Sequence, residues 1–318
     1  MAAIIQIKQL TKRYRGRLAV DALELSVEEG AIFGFVGPNG AGKTTTIRIM
    51  TTLLAPSQGD VLIAGHSVQK SPRAVRRVIG YMPDIFGVYN DMLVWEYLDF
   101  FGACYHLPPA QRSGILSDLL ELVDLSHRRD DPVESLSRGM KQRLSLARTL
   151  IHDPQVLILD EPASGLDPRA RVEIRDLLVE LSRMGKTVFF STHILADVAE
   201  ICTHIGIIEA GRLVAVGSLD ELQKHLAAHR EVSISILAGI EQAVGLLGQL
   251  PGVLEVTTPQ GNGDSGTHLI RFSFQGEDAA LSHILSTLIG AGIQVVEFSE
   301  QHHNLEEVFM HSTRGIVT

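Results

Sequence analysis

The sequence predicts an α/β protein: a parallel sheet with an antiparallel β subdomain beside it and a helical insertion, followed by a small α+β domain. Three observations carry this. The runs Ala31–Val36, Val156–Leu159 and Val188–Phe190 are nearly all apolar, as strands covered on both faces must be. Helical periods follow several of the strand candidates. After Gly217 the pattern changes to alternating strands and short amphipathic helices.

Composition bounds the possibilities. A chain of 318 residues suits one large domain plus a smaller one. Apolar residues make up 45% and charged residues 20%, ordinary for a globular chain. A net charge of −9 argues against nucleic acid as a partner. Cys104 and Cys202 are far apart and form no CxxC, so a reduced compartment with both thiols packed as small apolar groups is expected. Met1–Leu10 lacks the apolar core of a signal peptide. No stretch approaches the about 18 apolar residues that mark a membrane-spanning helix. The expected location is cytoplasmic, with any membrane role supplied by a partner.

In chain order, Ile4–Leu10 and Ala19–Leu25 alternate apolar and polar residues and suit the antiparallel sheet. Ala31–Val36 is the first central strand, and a glycine-rich turn leads from it into a helix over Lys43–Leu53. Val61–Ala64 and Ile79–Met82 are further strands. Between Asp91 and Leu150 helices dominate. Val156–Leu159 returns to the sheet. Pro168–Met184 is a helix with Asp167 as N-cap and Pro168 at its first position. Thr187–Ser191, Ile205–Glu209 and Leu213–Val216 are strands, and Leu219–Leu226 a short helix. These boundaries give a first domain over 1–227, with its helical part at about 85–152, and a second over 228–318.

In the second domain Val232, Ile234 and Ile236 alternate with Glu231, Ser233 and Ser235. A helix over Gly239–Leu250, a strand over Val253–Thr258, a turn-rich segment at Gly261–Gly266 and a strand over Leu269–Phe274 follow. Leu281, Ile284, Leu285, Leu288 and Ile289 fall at helical spacing, and Ile293–Phe298 is the last strand. The order βαββαβ suggests a ferredoxin-like split βαβ unit.

The turn after Ala31–Val36 reads Gly37-Pro38-Asn39-Gly40-Ala41-Gly42-Lys43-Thr44, which matches GxxxxGK[ST], and Thr45 continues it. Glycines let the backbone curl so that N–H groups point at phosphate oxygens, and the helix N-terminus adds partial positive charge. Lys43 is placed to reach the β- and γ-phosphates of ATP, and Thr44 to offer a hydroxyl to Mg²⁺. A ligand-free glycine turn is the alternative, with the lysine after Gly42 a coincidence.

Val156–Leu159 ends in Asp160 and Glu161. Side chains alternate along a strand, so the two acids point in different directions. Asp160 suits Mg²⁺ beside Thr44, and Glu161 suits polarising the attacking water as general base. Two solvated acids at a strand end are the bland alternative.

Four further segments narrow the class. Leu136-Ser137-Arg138-Gly139-Met140-Lys141-Gln142-Arg143 resembles the LSGGQ signature of ABC ATPases. Ser164-Gly165-Leu166-Asp167 resembles their D-loop. His193 resembles the switch histidine that contacts the γ-phosphate. Tyr14 resembles the aromatic that stacks on adenine. Taken singly these are a capped helix, a helix-start histidine and a half-buried loop aromatic. Together with the phosphate loop and the acid pair they stand in the family's order, from about Ile4 to Gly217. The resemblance implies a P-loop NTPase fold of the ABC ATPase type and two copies packed head to tail. Ser137 and Gly139 of one copy would then cover the nucleotide held by the other. It also implies nucleotide contacts from the phosphate loop and Asp167.

The chain departs from the family pattern in two places. Where glutamine is usual after Ile79–Met82, the sequence has Asp84, which accepts hydrogen bonds but does not donate them. As a further acid near Asp160 and Glu161, it would raise a carboxyl pKa by like-charge repulsion, while remaining a candidate for the Mg²⁺ side. In the signature, Arg138 replaces a glycine and Met140 a glutamine.

The aromatic stretch from Phe86 to Phe101 lies where the family receives the coupling helix of a membrane subunit, although some of it must form the insertion's own core. Asn304–Phe309 resembles the ending of daunorubicin-resistance-type export ATPases. Those subunits carry a C-terminal extension and work with ABC-2 type permeases. The resemblance implies an export ATPase, homodimeric and peripheral on the cytoplasmic face of the cell membrane, with the extension regulatory or dimer-stabilising. An importer ATPase, or a soluble ABC ATPase acting on ribosomes or nucleic acid, is the alternative. The single cassette and the lack of sustained heptads count against the soluble class.

Overall fold

Alternation at the N-terminus builds the first sheet. In the computed structural model, which describes residues 3–84, 87, 91–219, 221–222, 230–258 and 268–301, strand β1 (Ala3–Tyr14) pairs antiparallel with β2 (Arg17–Glu28). β1 runs past the alternating residues because its partner holds it: Arg13 pairs with Leu18 and Tyr14 with Arg17. The polar end of the strand is thus set by pairing and not by side-chain pattern. β3 (Ile32–Val36) is wholly buried and leads into α1 (Lys43–Met50). This helix stops short of Leu53, since Thr52 takes a left-handed φ of 62° and both Leu53 and Leu54 donate back to the Arg48 carbonyl. β4 (Gln58–Ile63) and β5 (His66–Ser67) complete the sheet in the order β2-β1-β4-β5.

α2 (Pro72–Val78) has no counterpart in the sequence reading. It buries only Val75, so it shows no apolar face to detect. β6 (Ile79–Met82) follows. The insertion holds α3 (Val94–Cys104), α4 (Pro109–Leu122) and α5 (Arg138–Leu150), with two single 3-10 turns at Ser126–Arg128 and Val133–Ser135. β7 (Val156–Asp160), α6 (Pro168–Arg183), β8 (Thr187–Thr192), α7 (Leu195–Ile201), β9 (His204–Glu209) and β10 (Arg212–Gly217) complete this unit. Asp167 caps α6 by accepting from the Ala170 N–H at 3.0 Å.

The second sheet has the order β10-β9-β3-β8-β7-β6. Its pairs are parallel from β9 to β6, and β10 is an antiparallel edge. The C-terminal ends of β3, β7 and β8 therefore lie side by side, and the phosphate loop, the acid pair and His193 leave the sheet at that one edge. Beneath it Phe33 and Phe189 stack with centroids 5.4 Å apart, and Phe35 lies 5.5 Å from Phe189. Phe189 is fully buried. Phe189→Ala is expected to cost about 3–5 kcal/mol, read as a lowered midpoint in urea denaturation.

The described residues from Glu221 to Gln301 fall in a second compact unit. β11 (Arg230–Ile236), α8 (Ile240–Leu247), β12 (Val253–Thr257), β13 (His268–Phe274), α9 (Asp278–Gly290) and β14 (Val295–Gln301) follow one another. The all-antiparallel order β12-β13-β11-β14 is the split βαβ arrangement. Val232, Ile234, Ile270, Phe272, Phe274, Leu281, Ile284 and Leu288 form its core. Leu219–Leu226 falls mostly, and Gly261–Gly266 and Asn304–Phe309 wholly, outside the described residues.

Candidate functional site

Two glycines show why the loop after β3 has its composition. A Cβ on Gly37 would collide with the Ile208 carbonyl, and Gly42 has φ 108° with the Ala19 carbonyl 2.6 Å from where its Cβ would stand. The loop curls around the Lys43 ammonium. Its Nζ donates to the Gly37 carbonyl at 2.7 Å and to the Pro38 carbonyl at 3.3 Å. Burial pulls the Lys43 pKa below its ordinary value, while Glu161 and Asp160 pull the other way.

The acids leave β7 at different levels. Asp160 is fully buried at the strand end. Its Oδ1 accepts from Ser191 Oγ at 2.6 Å and from Thr44 Oγ1 at 3.4 Å, and its Oδ2 is buried with no hydrogen-bond partner among the described residues. Burial pushes this carboxyl above its usual range; Ser191 and Thr44 oppose the shift, and the charges of Asp84 and Glu161 add to it. Glu161 lies one residue beyond the strand, with a φ of 51°. That left-handed conformation is uncommon for a side chain of this size and costs about 1–3 kcal/mol. It is held by the Glu161 N–H, which donates to both the carbonyl and the Oγ of Ser191.

The twist brings the Glu161 carboxylate between two groups. Oε1 lies 3.5 Å from Lys43 Nζ, and Oε2 lies 2.8 Å from His193 Nδ1. A cation, a carboxylate and an imidazole thus converge from the ends of three neighbouring strands. They line a cavity of about 750 Å³ together with Tyr14, Pro38, Asn39, Gly40, Gly42, Thr44, Thr45 and Asp84. Gly37, Ala41 and Asp160 are buried and do not line it. Tyr14 is 42% exposed, with Lys12 Nζ 5.3 Å from its ring centroid.

Ser137, Gly139 and Asp167 do not line this cavity. Ser137 caps α5 by accepting from the Met140 N–H at 3.3 Å. A Cβ on Gly139 would stand 3.0 Å from that of Ala170, so close packing of α5 on α6 accounts for the glycine within one chain. Arg138 does line the cavity, and it donates to the Ser164 carbonyl at 3.1 Å.

Sequence reasoning missed Arg17 and Ala19 in the lining and Ser191 below it, and named Arg138 and Ser164 only within the signature and the D-loop. The signal for Ser191 was a hydroxyl directly after the apolar run of β8 and two residues before His193.

A family model described as "ABC transporter" matches residues 20–164, and one described as "ATP-binding protein DrrA1-3-like, C-terminal domain" matches residues 217–313. The Daunorubicin resistance ATP-binding protein DrrA3 of Streptomyces coeruleorubidus is 35% identical over 310 residues, which are 97% of this chain and 95% of that protein. The chain belongs to the ABC transporter ATP-binding proteins. Nod factor export ATP-binding protein I of Cupriavidus metallidurans is 36% identical over 98% of each chain. Among solved structures, an ATP-binding subunit of an ABC transporter matches this ABC ATPase with a TM-score of 0.64 at 30% identity, over 70% of this chain and 93% of its own. A dimeric ATP-binding cassette bound to ADP and Pi matches with a TM-score of 0.62 at 25% identity, over 68% and 98%. The protein is an ATP-hydrolysing subunit of an ABC transporter. Among its described residues no helix is long and apolar enough to cross a membrane.

Proposed function

We propose that the chain drives export through a separate ABC-2 type permease, as a homodimer on the cytoplasmic face of the membrane. The observation that carries this is the convergence of Lys43, Glu161 and His193 in one cavity, in a chain matched end to end by resistance and export relatives. Lys43 and the phosphate-loop N–H groups bind the triphosphate. Glu161 polarises the attacking water, and His193 holds the Glu161 carboxylate and contacts the γ-phosphate. Tyr14 offers its exposed ring to adenine. The first domain is the motor. The second domain regulates it or holds the dimer.

The site fits Mg²⁺. Asp160 Oδ2 lacks a hydrogen-bond partner among the described residues, and Thr44 Oγ1 stands beside the same carboxylate. No cluster of three His, Cys, Asp or Glu ligands occurs among the described residues, which suits an ion that keeps water and substrate phosphate in its shell. When bound, Mg²⁺ neutralises charge on the β- and γ-phosphates. Thr44 and Asp160 would hold it, with Asp84 on the same side.

Asp84 faces the cavity and reaches Asp160 electrostatically. Asp84→Ala is expected to lower ATP turnover by about tenfold, as loss of a charged contact worth about 1.5–3 kcal/mol allows. Wild-type ATPase and transport in this variant would remove Asp84 from the site.

Beside α3, a cavity of about 570 Å³ is lined by Leu53, Arg76, Arg77, Phe101, Tyr105 and Arg148, among others. Tyr97 is fully buried in the insertion's core, whereas Phe100 and Tyr105 are exposed. This face would receive the permease. The class is tested by purification from detergent-solubilised membranes. Recovery with a multi-span subunit is expected; recovery with ribosomes or DNA instead would overturn the transport assignment.

A further inference from the structure

Asp197 is a buried acid that the chemistry above does not use. It stands in the first turn of α7, four residues after His193, and is 2% exposed. Neither carboxylate oxygen has a hydrogen-bond partner among the described residues. The groups facing it come from two helices. From α6, Arg175 Nη1 lies 3.7 Å from Oδ1, and Arg171, whose Nε is buried without a hydrogen-bond partner, acts on it through its charge. From its own side, Glu200 takes Arg175 Nη1 at 2.6 Å, and His193 acts on it electrostatically.

We propose that Asp197 is a positioning residue for His193, tying α7 to α6 through Arg171 and Arg175 so that the Asp167 loop and the His193 loop move together. The inference rests on the reading of His193 as a γ-phosphate contact.

The connectivity supplies the reason. α6 begins directly after Asp167, and Arg171 and Arg175 stand in its first and second turns on one face. α7 begins two residues after His193. An ion pair between these helices is a direct side-chain route from one loop to the other. Burying a carboxylate without direct hydrogen bonds is costly, and an apolar residue of similar volume would spare that cost. Burial pushes the Asp197 carboxyl above its usual range, and Arg171 and Arg175 draw it back. At 3.7 Å the pair is in salt-bridge range and short of a hydrogen bond, so it has room to close. Closing it draws α7 toward α6 and carries His193 along. A shift of about 1 Å at a catalytic group changes rate by about a hundredfold.

The test is a mutant cycle in the full-length chain, with single-turnover hydrolysis and ATP affinity measured for each variant. Asp197→Asn keeps the shape and removes the charge. It is expected to lower the hydrolysis rate by about 10–100-fold and to leave ATP affinity unchanged. In a His193→Ala background the same substitution is expected to do nothing further. An equal loss in both backgrounds, or no loss in either, overturns the proposal. If Asp197→Asn does not fold, Arg175→Gln carries the same cycle from the partly exposed side of the pair. Full activity in His193→Ala alone would sink the histidine's assigned role, and this coupling with it; loss in that variant with additive effects from Asp197→Asn would sink the coupling only.

Discussion

Glu161→Gln is expected to slow ATP hydrolysis by about 10²–10⁴-fold and to leave ATP binding intact. Glutamine has the same shape, so the left-handed backbone at this position and its two bonds to Ser191 are undisturbed. What it loses is charge. The carboxylate stands 3.5 Å from the Lys43 ammonium and 2.8 Å from His193 Nδ1, contacts that fix its orientation in the cavity where a water would meet the terminal phosphate. A neutral amide is a far weaker base. Binding depends on other groups, namely the loop N–H array and Lys43, and removing a negative charge from the phosphate site does not weaken them. The measurement is single-turnover hydrolysis beside equilibrium binding of ATP. Turnover within about threefold of wild type would exclude Glu161 as the base, because that is less than the smallest loss expected for a general base.

The parts of this site that were legible in the sequence are those whose requirements are local. The loop from Gly37 to Thr44 announces itself because a curled backbone, a lysine and a hydroxyl must sit within a few residues. Asp160 and Glu161 are visible as the polar end of an apolar strand. The parts that were not legible depend on pairs distant in the chain. Ser191 orients both acids, and it does so from the neighbouring strand, 31 residues from Asp160. The direction taken by Glu161 is set by a positive φ as well as by strand alternation, and no residue type announces a positive φ at a glutamate. α2 was invisible because one buried valine makes no pattern. In the second unit, alternation on β11 and β13 and helical spacing on α9 were enough to suggest the succession βαββαβ. There the whole signal is a two-residue period against two amphipathic helices, which is the kind of pattern that single sequences carry well.

In a hydrolysis-blocked Glu161→Gln background, Ser137→Ala is expected to abolish the ATP-dependent dimer while the monomer still binds ATP. Within one chain Ser137 has no nucleotide to touch. It caps α5, it does not line its own cavity, and the neighbouring Gly139 is accounted for by the approach of Ala170. A serine and a close-approach glycine at a helix N-terminus suit a phosphate, which in the proposed head-to-tail dimer would come from a second copy. Two copies related by a two-fold axis would place each signature over the other's Lys43. A hydrogen bond to a charged phosphate is worth about 1.5–3 kcal/mol, and the dimer, held through two of them, should be lost at micromolar protein. The cap confounds the result, since its removal alone costs about 1 kcal/mol. Ser137→Asn separates the two roles: asparagine caps as well as serine does, so the melting temperature should hold while the dimer is still lost. Light scattering in saturating MgATP reads the association, and binding to the monomer reads the rest. If Ser137→Ala weakens the monomer's own grip on ATP, the serine acts within its own chain. If the dimer persists in both variants, the head-to-tail sandwich is wrong, and Ser137 is the cap of a helix and nothing more.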